Sequence, residues 1–422
     1  MFAVIDCNNF FVSCERVFNP KLKSKPIVVA SSNDGVIVAR SNEVKKLGIP
    51  MGAKAYEWRD TIDRYQIQIF SGNFPLYGDL SRRVMQTIAE LAPDIEVYSI
   101  DEAFLDLTNF HTNDVVGYGQ MLKDTVYGWI GVPVSVGIGP TKTLAKAAVE
   151  IAKKNEQFNG VSSAYTDDFD DWLKTMPVKD IWGVGRSYSA FLKRNGVFNA
   201  RDFKYVSDTW VKQNMKVIGQ RTLLEMRGIP CMGVAAQRSA RKGIISSRTF
   251  GRPVTNLKEM REAVAMYAAR AAERLRNDGS IVSKVQVLIT TNRHRKDIPQ
   301  YSNVGSFRLG QPTNYTPSII SAAKRIVETI YKDGFSYKKA MVMLGEISPS
   351  SQVQLNLFQE FRDDKRDREL MKAIDVLNRK WGKSTMLYAA TGIPDRRGWK
   401  TNAAMLSRRY TTSWQEIPVV KT

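Results

Sequence analysis

Three carboxylates stand where carboxylates are costly. Asp6 closes the short apolar run Phe2–Asp6 near the N-terminus. Asp101 and Glu102 interrupt a second run, Val97-Tyr98-Ser99-Ile100-Asp101-Glu102-Ala103-Phe104-Leu105. Adjacent acids in a strand-like setting repel each other and lose hydration when covered. Two readings stay open: the pair is the exposed turn of a hairpin, or a divalent cation offsets its charge. Mg²⁺ suits the second, because it takes a few carboxylate oxygens at about 2.0–2.1 Å together with substrate phosphates. Two such ions, about 3.5–4 Å apart, lower the pKa of an attacking hydroxyl and stabilise a leaving oxygen. Beside Asp6 stand Phe10 and Phe11, which either enter the core or floor a nucleotide pocket.

Other chemistries find few residues. The chain holds two histidines, His111 and His294, with no HExxH or Cys-x-x-Cys near either, which disfavours a His-based triad or zinc site. Cys7, Cys14 and Cys231 are too few and too scattered for a disulfide framework and suit a reducing compartment. Gly137-Ile138-Gly139-Pro140-Thr141-Lys142-Thr143 lacks the glycine that a phosphate loop places directly before its lysine, which argues against an NTPase. The first residues have no basic region typical of a signal peptide, and no apolar run reaches the roughly 18 residues of a membrane span. A soluble cytoplasmic protein is expected.

The elements that must position the acids are legible in outline. Phe2–Asp6, 27–30, 36–39, 95–100, 103–107 and 132–138 read as strands. Residues 41–47, 78–91 and 141–154 read as helices, and 168–228 as short helices broken by Gly and Pro. Residues 231–243 are polar and basic and read as a linker. Beyond it the order is strand 244–250, helix 257–277, strands 283–291 and 304–309, helix 316–333 and strand 338–347, a β-α-β-β-α-β plan. An amphipathic stretch follows at 370–377.

Charge divides the 422 residues unequally. The total is +20, yet residues 1–230 carry 28 basic and 26 acidic side chains, net +2. Residues 231–345 carry 20 and 7, net +13, and residues 346–422 carry 14 and 9, net +5. A nearly neutral part joined to a basic block implies chemistry in one and a polyanion grip in the other.

Taken in order, the motifs carry a resemblance. Asp6-x-Asn8-x-Phe10-Phe11-x-Ser13-Cys14-Glu15, Tyr98-Ser99-Ile100-Asp101-Glu102-Ala103-Phe104-Leu105-Asp106, Ser135-Val136-Gly137-Ile138-Gly139-x-Thr141-Lys142-Thr143-Leu144-Ala145-Lys146 and Met405-Leu406-Ser407-x-x-Tyr410-Thr411-Thr412 resemble the Y-family translesion DNA polymerases. Within that family they are most similar to the UmuC-type catalytic subunits of bacterial DNA polymerase V. The resemblance implies an α+β, multidomain right hand. Its palm would span 1–10 and 75–165, its small fingers 11–74 and its thumb 166–230. A linker at 231–243, a β-α-β-β-α-β little finger at 244–345 and a partner- and clamp-binding tail at 346–422 would complete it.

The resemblance also implies roles. Asp6, Asp101, Glu102 and the Cys7 carbonyl would hold two Mg²⁺ while a primer 3′-hydroxyl attacks the α-phosphate of a dNTP. Phe11 falls at the family's steric gate, where a ring under C2′ leaves no space for a 2′-hydroxyl; Phe10 would adjoin the nucleotide. Arg40, Lys45 and Lys153 match triphosphate contacts, although Asn42-Glu43-Val44-Lys45 replaces the broader Tyr-x-x-Arg pattern, exchanging a bidentate fork for a point charge. Gly183, Gly185 and Arg186 resemble a helix-hairpin-helix that meets a DNA phosphate. Arg241, Arg248 and Arg308 would grip DNA. Gln354, Leu355, Leu357 and Phe358 resemble a sliding-clamp-binding pentapeptide. The remaining tail would engage a processed UmuD-type dimer and RecA. Function would be error-prone synthesis in the SOS response, in the nucleoid-bearing cytoplasm. A non-catalytic adaptor bound to clamp and DNA, and a metal-dependent nuclease, are the competing readings.

Overall fold

The apolar run at the N-terminus becomes the centre of a sheet. The structure is a computed structural model and describes residues 1–110, 114–234, 241–352, 365–382, 385–394 and 397–419. It divides into two compact units: residues 1–31, 36–238 and 405–422, and residues 32–35 and 239–404.

In the first unit the elements are, in order, β1 (Phe2–Cys7), α1 (Phe10–Val17), β2 (Ile27–Ala30), β3 (Ile37–Arg40), α2 (Asn42–Lys46), α3 (Arg59–Arg64), β4 (Gln68–Ser71) and α4 (Phe74–Leu91). Then come β5 (Asp94–Val97), β6 (Glu102–Asp106), α5 (Val115–Ile130), β7 (Val134–Gly139), α6 (Lys142–Lys154) and β8 (Val161–Ser163). Four helices close the unit's main run: α7 (Phe169–Thr175), α8 (Arg186–Arg194), α9 (Ala200–Lys204) and α10 (Asp208–Met226).

The main sheet has the order β5-β6-β1-β7-β8, with β1 antiparallel to both neighbours. Helices cover both faces, which is why β1 is apolar on both sides from Phe2 to Ile5, while β7 alternates Val134, Val136 and Ile138 with the small Ser135, Gly137 and Gly139. Ala3 and Ile5 pack with Ile88 of α4 and Leu122 of α5, whereas Phe2 and Val4 pack with Ala145 and Val149 of α6. A smaller sheet, β3-β2-β4, carries a separate core around Val28, Ile37, Val44 and Ile49. The helices from α7 onward form a third core with one face of α6.

Helix α6 crosses β7 so closely that only glycine fits at Gly137. A Cβ there would drive into the backbone of Ala145 and Val149, which cannot swing aside as a side chain can. Gly137→Ala is therefore expected to destabilise the chain by about 3 kcal/mol or more. Thermal or urea unfolding of the variant measures this; an unchanged midpoint would show that the helix can lift from the strand at no cost.

The second unit follows the expected β-α-β-β-α-β order: β9 (Gly243–Val254), α11 (Leu257–Asn277), β10 (Ser280–Thr291), β11 (Ser302–Thr313), α12 (Thr316–Ile330) and β12 (Tyr337–Pro349). The strands form an antiparallel sheet β11-β10-β12-β9. Alanine-rich faces of α11 and α12 let both helices lie close upon it, around Tyr267, Val285, Val327 and Tyr337. A further helix, α13 (Lys365–Trp381), joins this unit through Arg276, which holds Asp375 with two hydrogen bonds of 2.7 Å. Among the described residues no helix is long and apolar enough to cross a membrane.

Candidate active site

Strand register brings two of the three acids together. Pairing of β1 with β6 sets Asp6 opposite Glu102, and the Cys7 N–H donates to the Asp101 carbonyl at 2.8 Å. Asp101 sits in the β5–β6 turn, where its N–H donates to Ser99 Oγ at 3.1 Å and the Ser99 hydroxyl donates back to its carboxylate. Asp101 thus lies in a hairpin turn, and that turn abuts the end of β1.

The charge is met by a stripe of lysines. Lys142, Lys146 and Lys153 recur at helical spacing on the α6 face turned to the sheet. Lys142 pairs with Glu96 at 2.6 Å, Lys146 with Glu102, and Lys153 with Asp6 at 2.6 Å. Even so, burial and a hydrogen bond shared with Glu102 push Asp6 up from 3.8 to about 6, against the opposing pull of Lys153. Two neighbouring carboxylates that lose hydration here are oxygen donors of the kind a hard divalent cation takes. Among the described residues, however, no three acidic, cysteine or histidine side chains converge into one metal cage. Lys153 and Lys146 occupy one oxygen each of Asp6 and Glu102, positions a cation would share or take over.

The aromatic pair divides its roles. The turn residue Asn9, at φ 47°, launches α1 directly beside the acids. Phe10 points into the core and is 4% exposed. Phe11 stays half-buried, stacked on Tyr77 of α4 with centroids 4.7 Å apart and planes at 16°, and edge-on to Phe74 at 5.8 Å. Phe10 is thus a core residue, whereas Phe11 keeps part of its ring open.

Arg40, Lys45 and Lys153 form one electrostatic group. Partial desolvation and the neighbouring Arg40 and Lys153 charges hold the Lys45 ammonium below its ordinary pKa. Arg40 also donates to the Ile49 carbonyl, which anchors its guanidinium. Asn42 accepts from Asn9 Nδ2 at 3.0 Å and so ties α2 to the start of α1.

Farther along, Gly183 takes φ 91°, which favours glycine, and Gly185 is the uncapped entry to α8, whose first residue is Arg186. In the second unit Arg248 is exposed, Arg241 pairs with Asp278 at 3.3 Å and Arg308 with Glu346 at 2.8 Å. Such exposed pairs are worth about 0–1 kcal/mol, so a phosphate competes for the same guanidinium groups at little cost. Gln354, Leu355, Leu357, Phe358 and His111 lie outside the described residues. Sequence reasoning missed Lys146 and Tyr77. The Lys142, Lys146, Lys153 spacing was an available signal for the first; nothing local marks the second.

The fold is one shared with solved Y-family DNA polymerases. A Y-family DNA polymerase chimera of Dbh and Dpo4 superposes with a TM-score of 0.62 at 21% identity, covering 83% of this chain and 100% of that one. DinB from Sulfolobus solfataricus gives 0.51 at 21%, covering 82% and 98%. The sequence profile of the impB/mucB/samB family matches residues 5–150, and that of the family's C-terminal domain matches 241–357. A domain of unknown function, DUF4113, matches 368–420. Protein UmuC of Salmonella typhimurium is 39% identical over 424 residues, and Protein SamB of the same species 38% over 425, each spanning 100% of both chains. The chain belongs to the impB/mucB/samB family.

Proposed function

We propose that this chain is a template-directed, error-prone DNA polymerase that performs translesion synthesis in the DNA-damage response. The observation that carries the reading is the register of β1 on β6, which sets Asp6 against Glu102 beside the Asp101 turn. Asp6, Asp101 and Glu102 are the catalytic carboxylates. With the Cys7 carbonyl they would hold two Mg²⁺, which supply charge neutralisation for a triphosphate and a lowered pKa for a primer hydroxyl. Lys153 and Lys146 keep the carboxylates charge-balanced before substrate arrives. Arg40, Lys45 and Lys153 then draw in the triphosphate of a dNTP, for which a clustered set of cations is a ready counter-charge. Phe11, braced by Tyr77, lies under the sugar and excludes the 2′-hydroxyl; Phe10 fixes it from the core.

Primer-template DNA is the polyanion that the +13 segment grips, through Arg241, Arg248 and Arg308, with Gly183, Gly185 and Arg186 meeting the backbone at the α8 N-terminus. The proposed domain limits are those given from the sequence, except that β12 carries the little finger to Pro349. Residues 354–358 tether the chain to a sliding clamp, and the tail engages a UmuD-type dimer and RecA in the nucleoid. These partner assignments rest on the resemblance. DNA affinity should fall by about 10³-fold between 50 and 200 mM salt if roughly six phosphates are neutralised. A fluorescence-anisotropy titration checks this; a flat response would mean that the basic block does not bind phosphates.

A purely adaptor role is not favoured, because half-buried acids set against Lys146 and Lys153 cost stability that an adaptor has no need to accept. The test is single-nucleotide insertion on a primer-template with Mg²⁺, supplying the UmuD-type partner and activated RecA. Incorporation should follow the template base. Shortening of the primer without dNTPs would indicate a nuclease instead.

A further inference from the structure

The run 405–411 packs on the elements that hold Phe11, all within the first unit. Ser71, which ends β4, bridges to Leu406; its N–H donates to the Met405 carbonyl at 2.9 Å, and the Met405 N–H donates to Ser71 Oγ at 2.9 Å. Asn73 sits at the start of α4, where its side-chain oxygen accepts from Leu76 N–H at 3.5 Å. Through Nδ2 it donates to Ser407 Oγ at 2.9 Å and to the carbonyls of Ser407 and Arg408 at 3.2 Å each. Tyr410 stacks on Phe18, just past α1, with centroids 4.7 Å apart. The segment is thereby fixed to both helices that carry the aromatic gate.

Glu15 is the hub of this contact. It lies one turn after Phe11 on α1 and is 1% exposed. Its Oε1 accepts the Tyr77 hydroxyl at 2.6 Å and the Ser407 hydroxyl at 3.0 Å. A buried carboxylate is tolerated only with such donors, and losing one leaves the group to protonate or move. Tyr77 is fully buried: its hydroxyl end is tied to Glu15 and its ring face stacks on Phe11. Direct contacts therefore run from Ser407 to Glu15, to Tyr77, to Phe11.

We infer that the segment around Ser407 is a positioning element for the sugar gate, with Glu15 and Tyr77 as its link. The inference rests on the gate reading above and adds what holds the gate in place. Phe11 has only packing to resist a pushing 2′-hydroxyl, and a ring whose backing yields is no longer a wall. A displacement of about 1 Å in a reacting assembly can cost roughly 10²-fold, so discrimination depends on the stiffness behind the ring as well as on the ring. Ser407, Glu15 and Tyr77 are positioning residues, since none of them meets the sugar in this arrangement.

The test uses the full chain on a primer-template. kcat/KM is measured for a dNTP and its matching rNTP, together with thermal unfolding. The variants are Phe11→Ala, Ser407→Ala, Ser407→Thr and Tyr77→Phe. Ser407→Ala should lower the dNTP-to-rNTP ratio about tenfold, the lower end of the scale of one lost hydrogen bond to a charged group. Ser407→Thr, which keeps the hydroxyl, should restore it. Tyr77→Phe, which keeps the ring and loses the donor, should act like Ser407→Ala and decides the matter if that variant is unstable. An unchanged ratio in Ser407→Ala and Tyr77→Phe, with Phe11→Ala impaired, overturns the positioning role and leaves the gate intact. Equal losses toward both sugars show a merely structural role and overturn it too. An unchanged ratio in Phe11→Ala overturns the gate reading and this inference with it.

Discussion

Asp101→Ala is expected to reduce template-directed extension by roughly 10³-fold or more while leaving the fold in place. The size follows from electrostatics: a site that stabilises developing charge through carboxylate-held cations is worth several kcal/mol, and each 1.4 kcal/mol or so is a factor of ten in rate. Asp101 suits the test because its side chain is bonded locally, to Ser99, rather than to a lysine of α6. Glu102→Ala would take the ion-pair partner of Lys146, and Asp6→Ala would leave Lys153 only its longer pair with Glu150 at 3.8 Å, which confounds the result with stability. DNA affinity of the Asp101 variant, measured by anisotropy, should match the parent. Extension within about tenfold of the parent would place the catalytic carboxylates elsewhere.

Phe11→Ala is the second large effect. On the proposed gate role, removing the ring should lower discrimination against ribonucleotides by about a hundredfold, the scale on which a shaped pocket tells an extra hydroxyl. The loss should come mainly from faster rNTP insertion, since the carboxylates and the Arg40, Lys45, Lys153 group remain. Competition between dNTP and rNTP on one template measures it directly. A ratio unchanged from the parent would remove Phe11 from the gate.

How far the sequence spoke depended on whether the contact was local. The helix expected over 257–277 is found as Leu257–Asn277, because its alanine-rich periodic face is written in one stretch. The strand ends at Asp6 and near Glu102 were legible as apolar runs stopped by acids. Their register was not, since it joins residues about a hundred positions apart. Helix α5 contains Gly117, Gly119 and Gly128, which weaken its propensity, and it forms because Tyr118, Leu122 and Val126 find the sheet. Tyr77 falls just before the helix expected over 78–91, whereas α4 begins at Phe74; only the fold places it behind Phe11. The Ser407 contact spans 392 positions to Glu15, beyond any periodic pattern.

The most direct measurement is insertion opposite an abasic site. The full chain, with Mg²⁺, the UmuD-type partner and activated RecA, is given a primer ending one base before the lesion, beside its Asp101→Ala variant. The parent should insert a nucleotide and extend past the lesion, and the variant should stall at the primer end. Failure of the parent to extend even an undamaged template, or equal extension by both, would contradict the assignment of synthesis to Asp6, Asp101 and Glu102.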